Sequence, residues 1–591
     1  MPGFVAICTS RKETSRQGVD QALASTIFSS KTSSQKLHDD AQLVIHKSFF
    51  DFMEIPKPSV TLSGVSAWID GEIFNDHNFV ERDSDFLSTL ISNYERGTLS
   101  QYLAKVDGVF IVVLYDSVKE ILLVITDRFG LKPSYISQQN GALMLAADLK
   151  CFTYLKHFSM KFRKELIDCF IQLEHLIGSV TWFEGVDLLK PASIYQYDIK
   201  NDRLSSAAYW TWGAIQYNSN ISLDDAADQM AVLLERAIQS RSKTTSPKVQ
   251  LGVSLSGGLD SRAIMASIHG KRPRAYTFGL PDSEDVIVAK LVSAKANVEH
   301  HYYDIRTDHW LERRFPSVWR TDGMENMYHF HFSHIIERIA DVIDVNVNGF
   351  LGDAVFGGSY LGKKRKRFLD TRVTPEIARY YYGAHAQYAD ANDPYFDIQK
   401  TDPYLVYNRG RRFVNMGTED NAKYIPQRLP FFENTIIEFA YSLPDAYRAN
   451  SFVYSKALVR AYGDYFTTIR NASSGVPLSN DNVLKYTLIK KFNKVRDMVR
   501  YKLGMPVSYT DVYNWIKAPA SSKVILSLLD PKHALYSQFT ETNFVDKYVL
   551  PHLNRRMNYS KQIMGAITLE IWLQEIMLGK YKTSGLIEKS L

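Results

Sequence analysis

The sequence predicts two domains of mixed class: a layered N-terminal α+β domain rich in antiparallel strands, then an α/β domain with a parallel sheet and a helical C-terminal part. Three observations predict this. The chain has 591 residues, 45% of them hydrophobic, which is too long for one ordinary domain and apolar enough for two cores. Its hydrophobic pattern changes near residue 210 from period-two alternation to helical spacing. A buried-type strand, KVQLGVSL, then runs into a glycine-bearing turn and a helix, RAIMASIHG, the strand–loop–helix unit of a parallel sheet.

In the first half, FVAIC, VSAWIDGEIF, GVFIVVLYD, EILLVITD, ALMLAAD and ASIYQYD read as strands, because β-branched and aromatic residues alternate between turn residues. Residues 85–105, DFLSTLISNYERGTLSQYLAK, carry a helical pattern instead. This gives an expected domain at 1–210 and a second at 222–591. The second opens with an amphipathic helix at 223–241 that has Asp224 and Asp225 in its first turn, and it ends in the helix MGAITLEIWLQEIML.

Composition narrows the partners. With 70 Lys and Arg against 64 Asp and Glu, the net charge of +6 is too mild at this length to call for nucleic acid, and a small-molecule partner fits. Cys8, Cys151 and Cys169 form no CxxC pair, so neither a disulfide framework nor a zinc site is expected and a reducing, cytoplasmic setting is. The longest apolar runs, such as GVFIVVLY, fall well short of the roughly 20 residues of a membrane helix, and Met1 to Arg11 is not signal-like.

The hexapeptide SGGLDS at 256–261 carries the chemistry. At a strand-to-helix turn, Gly257 and Gly258 let the backbone bend and bring N–H groups near phosphate oxygens, while Ser256 and Ser261 add hydroxyls at a positive helix end. Asp260 would repel a bare phosphate, which argues for Mg²⁺ between them. No lysine follows the glycines as a Walker A loop requires.

SLSGGLDSR resembles the pyrophosphate loop of the ATP pyrophosphatases, and the order of motifs around it is similar to the glutamine-dependent asparagine synthetase family. That family joins an Ntn-type glutaminase domain to an ATP-pyrophosphatase domain that adenylates a carboxylate, after which an amine displaces AMP. The resemblance assigns Leu255, Ser256, Gly257, Gly258, Asp260 and Ser261 to ATP and pyrophosphate. YTFGLPDSED would place the backbone near Phe278 against adenine. VNGFLGDAVFGGSY resembles the family's SGEGADEVFGGY, which implies that Asn348 and Gly349 lie against nucleotide and Asp353 is the second Mg²⁺ carboxylate. In SKALVRA, Lys456 takes the position of a phosphate-contacting lysine, and Arg460, one turn on, joins it as a catalytic candidate.

Several departures from the family text bear on function. WIDGEIFN and VITDRFGLKPSY match the amidotransferase half, yet Pro2 stands where the nucleophilic cysteine belongs and Asp70 where an oxyanion-hole asparagine belongs. Cys8, inside FVAIC, reads as a core residue. The glutamate used at the aspartyl site is Phe350, the next acid is Ala354, and IRNASSGVP holds no counterpart of a late lysine, with Arg470 the nearest cation. β-Lactam synthetases and lasso-peptide cyclases share this pattern of loss. The expected activity is therefore amide formation by an ATP- and Mg²⁺-dependent, AMP-forming ligase acting on a small-molecule or peptide carboxylate, with an amine not supplied by its own glutaminase domain. Asparagine formation from free ammonia and a non-catalytic nucleotide- or partner-binding homologue stay open as alternatives, and a homodimer is compatible. KKRKR at 363–367, the histidines of YHFHFSH and the basic amphipathic stretch 484–504 read as a solvated face, a loose cluster and a packed helix.

Overall fold

The computed structural model describes residues 2–9, 17–53, 59–60, 64–75, 83–244, 246–306, 309–333, 335–361, 368–478, 492, 495–496, 499 and 508–579. His334, KKRKR and most of 484–504 lie outside these residues.

Among the described residues twelve strands build the N-terminal part: β1 (Phe4–Thr9), β2 (Thr32–Asp39), β3 (Leu43–Phe50), β4 (Ser59–Val60), β5 (Val65–Ile73), β6 (Gly108–Asp116), β7 (Ile121–Thr126), β8 (Tyr135–Gln139), β9 (Ala142–Ala146), β10 (Asp187–Leu188), β11 (Ser193–Asp198) and β12 (Arg203–Ala208). They form two antiparallel six-stranded sheets, β10-β8-β9-β1-β3-β2 and β12-β11-β7-β6-β5-β4. Alternation decides how the sheets stack. Phe4, Ala6 and Cys8 of β1 face Trp68, Ile111 and Val113 of the second sheet, while Val5 and Ile7 turn to the helical layer beyond. The predicted helix 85–105 is two helices, Asp83–Glu95 and Leu99–Leu103, because Gly97 adopts φ 73° between them.

The second part is a parallel sheet in the order β15-β14-β13-β16-β17, with β13 (Leu251–Ser254), β14 (Arg274–Gly279), β15 (His300–Asp304), β16 (Val345–Val347) and β17 (Gln427–Arg428). Helices cover it, among them Leu223–Arg241, capped by Ser222, and Asp260–Ile268. The Ser560–Leu578 helix is apolar nearly all round because it is buried nearly all round, in one cluster with Phe170 and Trp182 of the N-terminal part. The two parts are also locked by buried charge. Arg241 reaches Asp107 at 2.7 Å and Arg428 reaches Glu72 at 2.6 Å. No helix among the described residues is long and apolar enough to cross a membrane.

Candidate active site

Strand order explains why distant sequence motifs meet. Chain connections leave β13 for β14 on one side, whereas β16 pairs with its other edge, so the loops after β13 and β16 open into one crevice at a topological switch point. The first loop is SGGLDS and the second is Gly349–Asp353. Asp260 is the hinge of their contact. Its Oδ2 accepts the Asp353 backbone N–H at 3.0 Å and its Oδ1 accepts the Tyr454 hydroxyl at 2.7 Å. Glycines permit this closeness: a Cβ on Gly349 would lie 3.0 Å from Asp260 Cβ, and one on Gly352 2.7 Å from Asp260 Cγ. Gly352→Ala is accordingly expected to lower ATP turnover at least about tenfold with little loss of thermal midpoint, because the loop must shift off Asp260. Steady-state kinetics beside a melting curve checks this.

The SGGLDS loop is internally tied. Ser256 N–H donates to Ser261 Oγ at 3.1 Å, Gly258 N–H to Ser256 Oγ at 3.2 Å, and Gly257 N–H to Asp285 Oδ1 at 2.9 Å. The 469–478 stretch closes over it, with Ala472 N–H on the Gly257 carbonyl at 3.2 Å, and a Cβ on Gly257 would come within 2.1 Å of Ala472 Cβ. Buried Arg262 holds both loops by donating to the carbonyls of Ile469 (3.0 Å), Arg470 (2.9 Å) and Gly257 (3.4 Å). Burial, with no carboxylate partner among the described residues, pushes its guanidinium down to about 10.

A cleft of about 920 Å³ opens in front of Gly257, Gly258, Asp260 and Asp353, within the size range of small-molecule sites. Among the described residues its walls carry six carboxylates, Asp260, Asp282, Glu284, Asp285, Asp353 and Asp511, against two guanidiniums, Arg306 and Arg496. Burial first, and the Asp353 charge second, push Asp260 up to about 7, while burial also raises Asp353. Two carboxyls that resist ionising together are a donor set that a divalent cation relieves. A polyphosphate would be repelled by this wall unless such a cation accompanied it. No group of three or more His, Cys, Asp or Glu side chains that could hold a metal occurs among the described residues. A cation here would fill its shell with water and ligand oxygens, as Mg²⁺ does. The residues therefore fit Mg²⁺.

The other expected site residues are placed differently. Leu255 is buried and pairs with β14, its N–H on the Tyr276 carbonyl at 2.9 Å and its carbonyl accepting Thr277 Oγ1 at 2.8 Å. Phe278 packs at a tilt on Phe332 (4.8 Å) and edge-on to Tyr509 (6.2 Å), a residue of the cleft wall. Asn348 donates to Gln427 Oε1 at 3.0 Å and to the Arg428 carbonyl at 2.9 Å. Lys456 and Arg460 do not line the cleft. Both pair with Asp224, at 2.8 and 2.6 Å, and Arg460 also with Asp228. Helical phase is the reason: Tyr454 and Leu458 are buried, and residues two further on point about 200° away. Lys456→Ala is thus expected to change turnover less than about threefold, in line with a surface ion pair, and kinetics of that variant tests it. Arg470 pairs with Glu284 at 3.0 Å. His329 bonds Glu174 at 2.7 Å and His331 approaches Arg314 at 3.4 Å, so these histidines act separately. Sequence reasoning missed Tyr454, Arg262 and Asp285. Arg262 closes the quoted motif and Tyr454 sits two residues before Lys456, so helical phase alone points to the latter.

In the N-terminal part, Asp70 is clamped by Lys132 at 2.7 Å and Lys47 at 3.7 Å, and Lys132 Nζ also donates to the Pro2 carbonyl at 3.0 Å. All three cysteines are buried. Burial raises the Cys8 thiol well above its ordinary value and pushes Cys151 and Cys169 up to about 12, so none is a ready thiolate. Phe350 is buried and packs on Phe432 at 5.3 Å, which packs on Phe129 at 5.5 Å.

A parallel sheet with a glycine loop and paired aspartates at its switch point, joined to a two-sheet antiparallel domain, defines the class of open α/β proteins that bind ligands in the crevice beyond their strand ends. Family profiles make the class particular: asparagine synthase matches residues 229–574 and a glutamine amidotransferase domain matches residues 69–210. The chain belongs to the asparagine synthase family, whose members are ATP-dependent amide ligases. It is 20% identical over 558 residues to asparagine synthetase [glutamine-hydrolyzing] 2 of Bacillus subtilis (strain 168), covering 83% of this chain and 74% of that one. To asparagine synthetase [glutamine-hydrolyzing] of Gallus gallus it is 26% identical over 247 residues, 39% of this chain and 42% of the relative. A solved glutamine phosphoribosylpyrophosphate amidotransferase from B. subtilis, complexed with ADP and GMP, covers 51% of this chain and 65% of its own at 11% identity, with a TM-score of 0.25 that carries no argument.

Proposed function

We propose that this protein activates a carboxylate by transferring AMP to it from ATP, releasing pyrophosphate, and then joins the acyl group to an amine as AMP leaves. The observation that carries the reading is the meeting of Asp260 and Asp353 at the SGGLDS loop, facing a cleft of about 920 Å³. In this proposal residues 222–591 form the ligase domain and residues 1–210 a domain kept without glutaminase activity. Asp260 and Asp353 would hold Mg²⁺, which when bound supplies neutralisation of charge building on the departing pyrophosphate. Tyr454 orients Asp260, Gly257 and Gly258 present backbone to the phosphates, and Arg262 keeps the loop above them closed.

Two features support an amine from outside the N-terminal domain. No cysteine of the chain is exposed, and Asp70 is a carboxylate held between two lysines where a developing oxyanion would need donors. Phe350 supports a carboxylate other than aspartate, since an apolar side chain buried against Phe432 replaces the expected charged contact. The test is a screen of carboxylates for ATP-dependent pyrophosphate release, with glutamine hydrolysis followed in parallel. The reading expects release with one carboxylate class and no glutamate formed. Hydrolysis of glutamine would remove the second half of the proposal.

A further inference from the structure

We infer that Asp285 is an internal stand-in for phosphate: its carboxylate takes the Gly257 N–H of the SGGLDS loop, so pyrophosphate is held there against a built-in competitor that aids its release. The inference rests on the reading of that loop as a phosphate cradle. Within the loop the N–H groups of Ser256, Gly257 and Gly258 have internal partners, and those partners differ in charge. Ser256 N–H donates to the Ser261 hydroxyl at 3.1 Å and Gly258 N–H to the Ser256 hydroxyl at 3.2 Å, both neutral acceptors. Gly257 N–H donates at 2.9 Å to Asp285 Oδ1, which has the acceptor chemistry of an anionic phosphate oxygen. A phosphate oxygen that reaches this N–H meets an occupied donor and a like charge together.

The loop has other anchors than this carboxylate. Ala472 N–H bonds the Gly257 carbonyl at 3.2 Å, and Arg262 spans the carbonyls of Gly257, Ile469 and Arg470. The helix that carries Asp285, Glu284–Ala296, is capped by Ser283, whose Oγ accepts the Val286 N–H at 3.4 Å, so Asp285 is not needed at its own helix end. Among the described residues Asp285 has no cation partner, whereas its neighbour Glu284 pairs with Arg470 at 3.0 Å. Asp285 is half-buried and lines the cleft beside Gly257 and Gly258, which gives its side chain a place to turn when it is displaced. A Cβ on Gly257 would lie 3.3 Å from Asp285 Cα, so glycine is what lets this helix start come onto the loop.

Calorimetric titration of the full chain with pyrophosphate, with Mg²⁺ at fixed ionic strength and without ATP or carboxylate, tests the inference. Asp285→Ala is expected to bind pyrophosphate at least about tenfold tighter than the unaltered chain, the margin of one charge-assisted hydrogen bond. Asp285→Asn should tighten it by less, because the amide oxygen stays as a neutral acceptor, and this near-isosteric variant keeps the test decisive if Asp285→Ala disturbs the loop. Asp282→Asn removes a charge from the same cleft wall, and its effect should stay under about threefold. Weaker or equal binding by both Asp285 variants would show that the carboxylate shapes the loop for phosphate and would overturn the inference. An Asp282→Asn effect as large as that of Asp285→Asn would overturn it too, by reducing it to wall charge. Pyrophosphate that binds none of the four proteins would remove the inference and the phosphate assignment of the loop together. Tightening in the Asp285 variants of a chain that forms no adenylate with any carboxylate would uphold the inference and count against the ligase reading alone.

Discussion

Replacing Asp260 by asparagine is expected to lower the proposed ATP-dependent release of pyrophosphate at least about 10²-fold, the low end for losing a group that stabilises developing charge. The amide keeps the shape and one acceptor, which serves the Tyr454 hydroxyl at 2.7 Å but not also the Asp353 N–H, so the loss is read in kinetics beside a melting curve. The same variant has a pH signature. Burial and Asp353 hold the Asp260 carboxyl at about 7 in the folded chain, above the ordinary range near 4. A raised carboxyl stabilises the fold while protonated, and that contribution is lost as pH rises through about 7. Without added divalent cation, Asp260→Asn should therefore raise the melting midpoint more at pH 8 than at pH 5, because the loss begins at the unfolded value near 4 and is complete only above about 7. A midpoint shift that is the same at both values contradicts the electrostatic account, and retained turnover contradicts the assigned role.

Arg448→Met should cost about 3–5 kcal/mol of stability, the penalty for stranding buried charge. Arg448 is wholly buried, donating to Asp402 at 2.7 and 3.1 Å and to Asp445 at 2.7 Å, while Lys400 supports Asp445 from the other side at 2.7 Å. Methionine fills similar space but leaves Asp402, Asp445 and Asp370 with Lys400 as their shared cation among the described residues. The network matters to the site, because Arg448 also donates to the Val355 carbonyl at 3.0 Å, and Ser451 N–H holds the Gly357 carbonyl at 3.0 Å. It ties the Asp353 loop to the helix that presents Tyr454. Urea titration of the variant gives the cost directly, and a loss below about 1 kcal/mol would show that the acids are neutralised in another way.

Local chemistry was legible in the sequence, and relative orientation was not. Gly257, Gly258 and Asp260 announce an anion loop because few other turns need those residue types together, and the strand before it repeats the apolar pattern of a parallel sheet. The juxtaposition of Asp260 and Asp353 followed from the family resemblance, since no short-range rule pairs residues 93 apart. Lys456 shows the opposite outcome: its position in SKALVRA suggested phosphate contact, but the face of the helix that packs inward is set by Tyr454 and Leu458. Strand β2, TSSQKLHD, escaped the reading because it is an exposed edge with no apolar alternation. The helix pattern over 85–105 hid a break because one glycine, Gly97, turns the chain without disturbing the periodicity on either side.

The most direct test of the central claim is exchange of labelled pyrophosphate into ATP by the purified full chain, with Mg²⁺ and a panel of small-molecule and peptide carboxylates. The account predicts label in ATP that depends on both Mg²⁺ and one class of carboxylate, and that disappears in Asp260→Asn and in Asp353→Asn. Exchange that persists in either variant, or that no carboxylate evokes, would contradict it.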